Sequence, residues 1–368
     1  MKIFENIVGQ SQVIETLKNA VIAARENSEL SQKMTHSWLF TGSPGSGKLT
    51  IAKAFAAALV CQENGCDECI DCKTAMNESH VDIEIIKTKG SIIKVDEIRE
   101  LISRTSLLPS MSRWRIFVVQ NAHQLSESAT NALLKAIEEP SPRVVWLLTA
   151  TTLLDINPTL SSRCRQIQLR TLTKESLIEQ LTKQGIVDID MAKFCAGVSQ
   201  GHIGRAKFLL ENPSSRLRRN EITNLFFQGK DINQVFSISA RIIEIIHEEA
   251  EEFYKNIYKI NSQPEEKMLI DRKIKNQFTS EVIDNYLIDI EFTLSDAMII
   301  KLVSKQVSDE NNIDELGKII LSQLKLTQIL EILSIVLQTR LNLQKNISVN
   351  LAIEDLLIKI WEVTEAKL

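Results

Sequence analysis

The stretch Gly42-Ser-Pro-Gly-Ser-Gly-Lys48-Leu49-Thr50 follows the apolar run Ser37-Trp-Leu-Phe-Thr41 and leads into Ile51, Ala52, Phe55, Ala56 and Leu59. Those apolar positions are spaced as one face of a helix. A buried strand, a glycine-rich turn and a helix, in that order, make a phosphate-binding loop. The curled backbone turns successive N–H groups inward, and the helix N-terminus adds its partial positive charge. The pattern G-x-x-x-x-G-K-[ST] is met at Gly42, Gly47 and Lys48, with Gly45 inside the loop and Lys48 placed to reach terminal phosphates. Leu49 stands where a hydroxyl would hold Mg²⁺, and Thr50 comes one position later. A turn that merely joins strand to helix is the bland alternative. With only 12 glycines in 368 residues, the concentration of glycine here argues against it.

Strand signals recur along the first half: Ser37–Thr41, Val81–Ile86, Trp114–Val119, Val144–Thr149 and Gln166–Leu169. Helical patterns separate them at Ile51–Val60, Val95–Leu107 and Ser126–Glu139, the last with Ser126 as N-cap and Pro140 as terminator. Alternation of this kind predicts an α/β domain with a doubly wound, mostly parallel sheet. Ile116–Val119 and Val144–Leu148 are apolar throughout, as strands covered on both faces are. After about Arg170 the strand signals stop. Residues 171–210 read as short helices with turns at Gln184-Gly185 and Ser199-Gln-Gly-His-Ile-Gly204. From 211 to 368 the pattern is Leu/Ile-rich helix, broken near Asn261-Ser-Gln-Pro264 and Ser308-Asp-Glu-Asn-Asn312. Three domains are expected: 1–170, 171–210 and 211–368. The wide apolar faces of the last suit either a self-contained core or an oligomer interface.

The formal net charge of −4 excludes a general electrostatic hold on nucleic acid, so any DNA contact must be local or shared. The N-terminal residues lack an apolar core of the kind that marks a secretion signal, which predicts a cytoplasmic protein.

Cys61-Gln-Glu-Asn-Gly-Cys66-Asp-Glu-Cys69-Ile-Asp-Cys72 gathers four of the six cysteines into twelve positions. In a cytosolic chain such a cluster favours a metal over disulfides. Four thiolates suit tetrahedral Zn²⁺, and filling all four positions with protein leaves no opening for a water, so the role is structural. An iron–sulfur cluster is the rival, but the fourth cysteine here lies upstream and the further Cys-Pro of the ferredoxin run does not follow. Cys164 and Cys195 stand alone and read as small buried hydrophobes.

A P-loop ATPase needs an acidic residue at the end of a neighbouring strand to help hold Mg²⁺, and a group to orient the attacking water. The strand Trp114–Val119 ends in Gln120-Asn121-Ala-His123, where an Asp-Glu pair would be expected. Gln120 and Asn121 carry no charge, and Leu49 removes the other protein ligand. Hydrolysis in cis should therefore be very slow. His123 is the one neutral base nearby, though a lone histidine is more often structural.

At this point the residues name a family. Asn131-Ala-Leu-Leu-Lys-Ala-Ile-Glu-Glu-Pro140, Leu147-Leu-Thr-Ala-Thr-Thr152 and Ser162-Arg-Cys164 together resemble the bacterial clamp-loader ATPases of the AAA+ class. Phe4 with Ile7-Val-Gly-Gln10 is similar to the family's adenine-holding opening segment. The cysteine knuckle is similar to its zinc insertion. Gly201-His-Ile-Gly-Arg205-Ala206 resembles its sensor-2 segment, and Asn350-Leu-Ala-Ile-Glu354 resembles its last collar helices. The resemblance is dense over residues 4–206 and weaker beyond.

It implies an AAA+ P-loop domain with a zinc knuckle, a small helical lid and an all-α collar. It implies a nucleotide site at Gly42, Gly45, Gly47, Lys48, Thr50 and Arg205, able to hold ATP or ADP without turnover, and zinc at Cys61, Cys66, Cys69 and Cys72. It also implies a place beside gamma/tau and delta subunits in a heteropentameric ring of DNA polymerase III, which loads the sliding clamp onto primed DNA. Motor subunits of the family should keep a hydroxyl after the lysine and an Asp-Glu pair at 120–121. Departing at both while keeping Ser162-Arg163-Cys164, the chain is similar to the ring's stator, which offers this arginine in trans to a neighbour's ATP. Two other functions stand against that one. An active ATPase motor would turn ATP over by itself, and a freestanding zinc-dependent nucleic-acid binder would show salt-dependent DNA affinity.

Overall fold

The computed structural model describes residues 1–25, 34–43, 45–86, 92–183, 188–199, 201–229, 231–257, 267–303, 315–344 and 347–365. The expected breaks at 184–185, 261–264 and 308–312 lie outside the described residues, as does Pro44 of the loop. The chain folds into two compact units, Met1–Glu211 and Asn212–Leu368.

In the first unit the order is α1 (Ser11–Ala23), β1 (Ser37–Thr41), α2 (Lys48–Val60), α3 (Ile70–Met76), β2 (Ile83–Ile86), α4 (Val95–Arg104), β3 (Arg115–Val119), α5 (Glu127–Glu138), β4 (Val144–Ala150), α6 (Pro158–Ser161) and β5 (Arg165–Gln168). Three helices follow: α7 (Lys174–Lys183), α8 (Ile189–Ser199) and α9 (Ile203–Glu211). All five strands are parallel, in the order β2-β3-β4-β1-β5. Period-2 alternation divides their side chains between two cores. Trp38, Phe40, Ile116, Val118, Val145 and Leu147 pack on one face with α1 and α2. Leu39, Phe117, Val119, Trp146 and Leu148 pack on the other with α4 and α5. Trp38 meets the edge of Phe55 on α2, and Phe117 stacks on Trp146, both with ring centroids 4.9 Å apart. Strands covered on both faces are therefore apolar end to end, which is why they were legible.

Several boundaries shift from the sequence expectation, and two of the shifts have a visible cause. Helix α4 stops at Arg104 rather than Leu107, because the Thr105 and Ser106 hydroxyls donate to the carbonyls of Ile102 and Ser103. Side-chain bonds of this kind compete with continuation of a helix. Strand β2 begins at Ile83 rather than Val81, since a turn joins Ile83 N–H to the His80 carbonyl and Asp82 turns its side chain to another segment. Ser126 caps α5 as expected, accepting from the Ala129 N–H at 3.2 Å.

Helices α7–α9 close over a small core of their own, Leu172, Leu177, Leu181, Ala192, Cys195, Ala196, Ala206 and Leu209, while belonging to the first unit. The second unit consists of α10 (Pro213–Leu225), α11 (Ile232–Ile257), α12 (Lys267–Val303), α13 (Glu315–Gln323), α14 (Leu326–Gln344) and α15 (Val349–Glu365). Ile245, Leu287, Ile290, Ile332, Ile353 and Leu356 fill its core. An ion pair, Arg219 Nε to Asp289 Oδ2 at 3.0 Å, is buried there. Among the described residues no helix is long and apolar enough to cross a membrane.

Candidate nucleotide site and cysteine knuckle

Strand β1 lies between β4 and β5, so the loop leaving it stands where the strand order reverses. In open α/β sheets that crevice, at the carboxyl ends of the strands, is where ligands bind. The loop is pinned on both sides. Gly42 N–H donates to the Thr151 carbonyl after β4, and Leu169 N–H after β5 donates to the Thr41 carbonyl at 2.7 Å. Gly45 and Gly47 have φ of 73° and 84°, the left-handed conformation that residues with a Cβ avoid, and Gly47 caps α2. Thr50 is exposed, and Leu49 is half-buried against the α1/α2 core.

Lys48 folds back on the loop: its Nζ donates to the carbonyls of Gly42 at 2.5 Å and Ser43 at 2.8 Å. Burial brings its pKa down to about 8. Four buried atoms nearby have no hydrogen-bond partner in the protein: Ser43 Oγ, Ser46 Oγ, Gln120 Oε1 and His123 Nδ1. Buried polar atoms are normally satisfied, so orphans gathered at one crevice mark a place made for a polar ligand. The charges agree. Burial lowers the pKa of His123, with Lys48 adding to the fall and Asp155 opposing it. Lys48 and Arg205 both act on His202. Asp155 opposes the fall at His123 alone, and only cations act on His202. The donor set fits a polyphosphate.

Magnesium fares worse. Gln120 and Asn121 sit at the end of β3, with Asn121 N–H bonded to Thr149 Oγ1. Neither offers a carboxylate. Arg205 lies on α9, close enough to His202 to act on it.

The opening segment is tied into the same region. Gln10 exchanges bonds with the Arg170 backbone, and Gln180 of α7 donates to the Asn6 carbonyl at 3.2 Å.

Arg163 is exposed between α6 and β5, at the amino ends of the parallel strands and so at the opposite end of the sheet from the loop. Its Nε stands 2.5 Å from Glu138 Oε1, and its Nη1 donates to the Thr159 carbonyl at 2.9 Å. Its backbone carbonyl accepts from Ser37 Oγ. Cys164 beside it is buried, which raises its thiol pKa to about 11 and makes it inert.

The four clustered cysteines are brought together at the end of α2. Cys61 follows the helix, Cys69 caps α3, and Cys72 lies on α3. Their sulfurs all lie within 4.8 Å of one another, with Cys61–Cys66 at 3.8 Å and Cys61–Cys69 at 3.7 Å. A tetrahedron with Zn–S of about 2.3 Å has S–S edges of about 3.8 Å. These separations exclude disulfides, whose sulfurs lie about 2 Å apart. The cluster can hold a zinc ion. Backbone N–H groups also point at the sulfurs, with Glu63, Cys69 and Cys72 donating to Cys61, Cys66 and Cys69 respectively. Backbone bonds from Glu68 and Cys69 bring the Cys66 pKa down to about 7, towards the thiolate a metal needs.

Sequence reasoning singled out the loop, the cysteines, Arg163 and Arg205. It missed the roles of Glu138 and His202, which are set by neighbours distant in sequence. A lone histidine in the Gly201–Arg205 segment was the one available signal.

A loop of this form on a five-stranded parallel sheet has the architecture of a P-loop domain. Residues 11–173 match a family model described as "DNA polymerase III, delta subunit". The chain is 34% identical to the DNA polymerase III subunit tau of Bacillus subtilis over 191 residues, 51% of this chain and 32% of that one. It is 30% identical to the gamma subunit of Buchnera aphidicola subsp. Schizaphis graminum, over 60% of each chain. Less than two thirds of each relative is thus covered. A gamma subunit-related protein of Thermotoga maritima superposes at a TM-score of 0.43 with 15% identity, covering 96% of this chain and 99% of that one, a likeness too weak to argue from. The matched model and the relatives named tau and gamma support the clamp-loader AAA+ family for this chain.

Proposed function

We propose that the chain is delta-prime, the stator of the bacterial DNA polymerase III clamp loader, working in the cytoplasm. It sits in a heteropentameric ring with gamma/tau and delta subunits, held by the helical unit after residue 211 as a collar. It supplies Arg163 in trans to the ATP of a neighbouring motor and hydrolyses little or no ATP itself. The ring then loads the sliding clamp onto primer-template DNA.

One observation carries the reading: both magnesium-holding positions are lost, at Leu49 and at Gln120-Asn121, while Ser162-Arg163-Cys164 is kept with the arginine exposed. A P-loop without metal ligands can bind a polyphosphate but cannot neutralise the charge of transfer. A guanidinium at a subunit boundary does that for the next site. Zinc, bound by Cys61, Cys66, Cys69 and Cys72, organises the knuckle and takes no part in chemistry. A second reading, an active motor, is favoured by the names tau and gamma of the relatives.

ATP turnover by the purified chain separates the two. No turnover above the spontaneous rate is expected. Turnover abolished by Lys48→Ala would establish the motor instead.

A further inference from the structure

His202 sits at the N-terminal edge of α9, and its backbone is rigidly placed. Its N–H donates to the Ser199 carbonyl at 2.8 Å, and its own carbonyl accepts from Ala206 N–H at 2.9 Å. Gly201 before it has φ of 91° and lies so close to Leu172 that a Cβ would come 2.9 Å from that carbonyl. Leu172 in turn presses on Gly9, where a Cβ would meet its side chain at 2.4 Å. The segment is therefore locked between the end of the sheet and the opening segment.

From this anchor the imidazole reaches the P-loop. A Cβ built on Gly45 would stand 2.1 Å from His202 Nδ1, 2.4 Å from its Cγ and 2.7 Å from its Cβ. The ring rests directly on the Gly45 α-carbon, in a loop whose Lys48 ammonium is turned inward onto carbonyls. Burial, with Arg205 and Lys48 nearby, brings the His202 pKa down to about 4. At ordinary pH the ring is neutral and offers no charge to a phosphate. It takes up room at a loop whose remaining donors, Ser43 Oγ and Ser46 Oγ, have no protein partner.

We propose that His202 is a stopper: the lid seats its imidazole on Gly45, and a nucleoside di- or triphosphate enters only when the ring is withdrawn. This rests on the reading of the loop as a nucleotide site. A site competent for only a fraction of the time binds more weakly by that fraction, so removing the ring should tighten binding.

The test is calorimetric titration of the full chain with ADP and with ATP, each with magnesium, in wild type, His202→Ala, His202→Ser and the double variant Lys48→Ala/His202→Ala. Unchanged zinc content and thermal midpoint show that each variant is folded. Affinity should rise about tenfold or more in both single variants and be lost in the double one. Equal or weaker binding in folded His202→Ala and His202→Ser would overturn the stopper and leave the nucleotide site standing. Binding that survives Lys48→Ala would overturn it by placing the ligand elsewhere. No binding by any variant would overturn the stopper together with the nucleotide site.

Discussion

Asp82 is fully buried, and its carboxylate accepts three backbone N–H groups: Ser110 at 2.6 Å, Met111 at 2.9 Å and Ser112 at 2.8 Å. It holds the connection between α4 and β3, which exposes Leu107, Leu108 and Met111. Burial pushes its pKa up, but the three N–H groups together outweigh burial and hold it below the ordinary carboxylate range. Hydrogen bonds to a charged group contribute about 1.5–3 kcal/mol each. Asn at this position keeps one acceptor oxygen but turns an NH₂ towards the remaining donors. Asp82→Asn should therefore cost about 2–4 kcal/mol at neutral pH, or roughly 5–15 °C in midpoint for a unit of this size. Thermal unfolding of the full chain, followed by tryptophan fluorescence, measures it, since Trp38, Trp114 and Trp146 all lie in the first unit. The pH dependence has a definite sign. With the folded pKa depressed, the stabilisation is complete above the unfolded value of about 3.9 and is lost as pH falls through the folded pKa. The gap between wild type and Asp82→Asn should thus close in acid. Equal midpoints at pH 7, or a gap that does not narrow as pH falls below about 4, would refute the assignment of the stabilisation to the charged carboxylate.

The chain should carry about one zinc, and Cys69→Ser should loosen residues 61–72 and lower stability without abolishing the sheet; elemental analysis giving iron, or no metal in a reduced sample, would contradict this. In a reconstituted ring, Arg163→Ala should preserve assembly yet cut clamp- and DNA-stimulated ATP turnover at one site by on the order of 10³-fold, and Arg163→Lys should rescue little because the planar fork is lost. Unchanged turnover in that ring would reduce Arg163 to a surface charge paired with Glu138. In the second unit, Arg219→Met should destabilise by about 3–5 kcal/mol, since it leaves Asp289 charged and buried, whereas pairing it with Asp289→Leu should recover most of the loss. Denaturant unfolding of the two variants reads this directly, and a double variant no better than the single one would count against a buried charge as the cause.

The sequence alone settled the sheet. Five apolar runs separated by helical periods can bury their side chains on both faces only in a parallel, doubly wound arrangement, and each run appears as a strand within two residues of its expected start. The phosphate loop and the cysteine cluster were legible for a similar reason. Both are contiguous, and their chemistry depends on residue type at short spacing. The loss of magnesium ligands was legible too, because Leu49 and Gln120 can be read one position at a time.

Tertiary structure decided whatever depends on residues far apart in the chain. The strand order that puts β1 between β4 and β5, and so brings Thr151 and Leu169 to the loop, follows from how the helices cover the sheet. The ends of α4 and β2 were set by Thr105, Ser106 and Asp82, polar side chains whose bonds override periodicity. Arg163 gained a carboxylate partner 25 residues upstream, and His202 a seat on a glycine 157 residues upstream. No local pattern encodes such meetings: apolar periodicity fixes which face of an element is buried, and only the packed chain fixes which polar side chain each face delivers to the crevice.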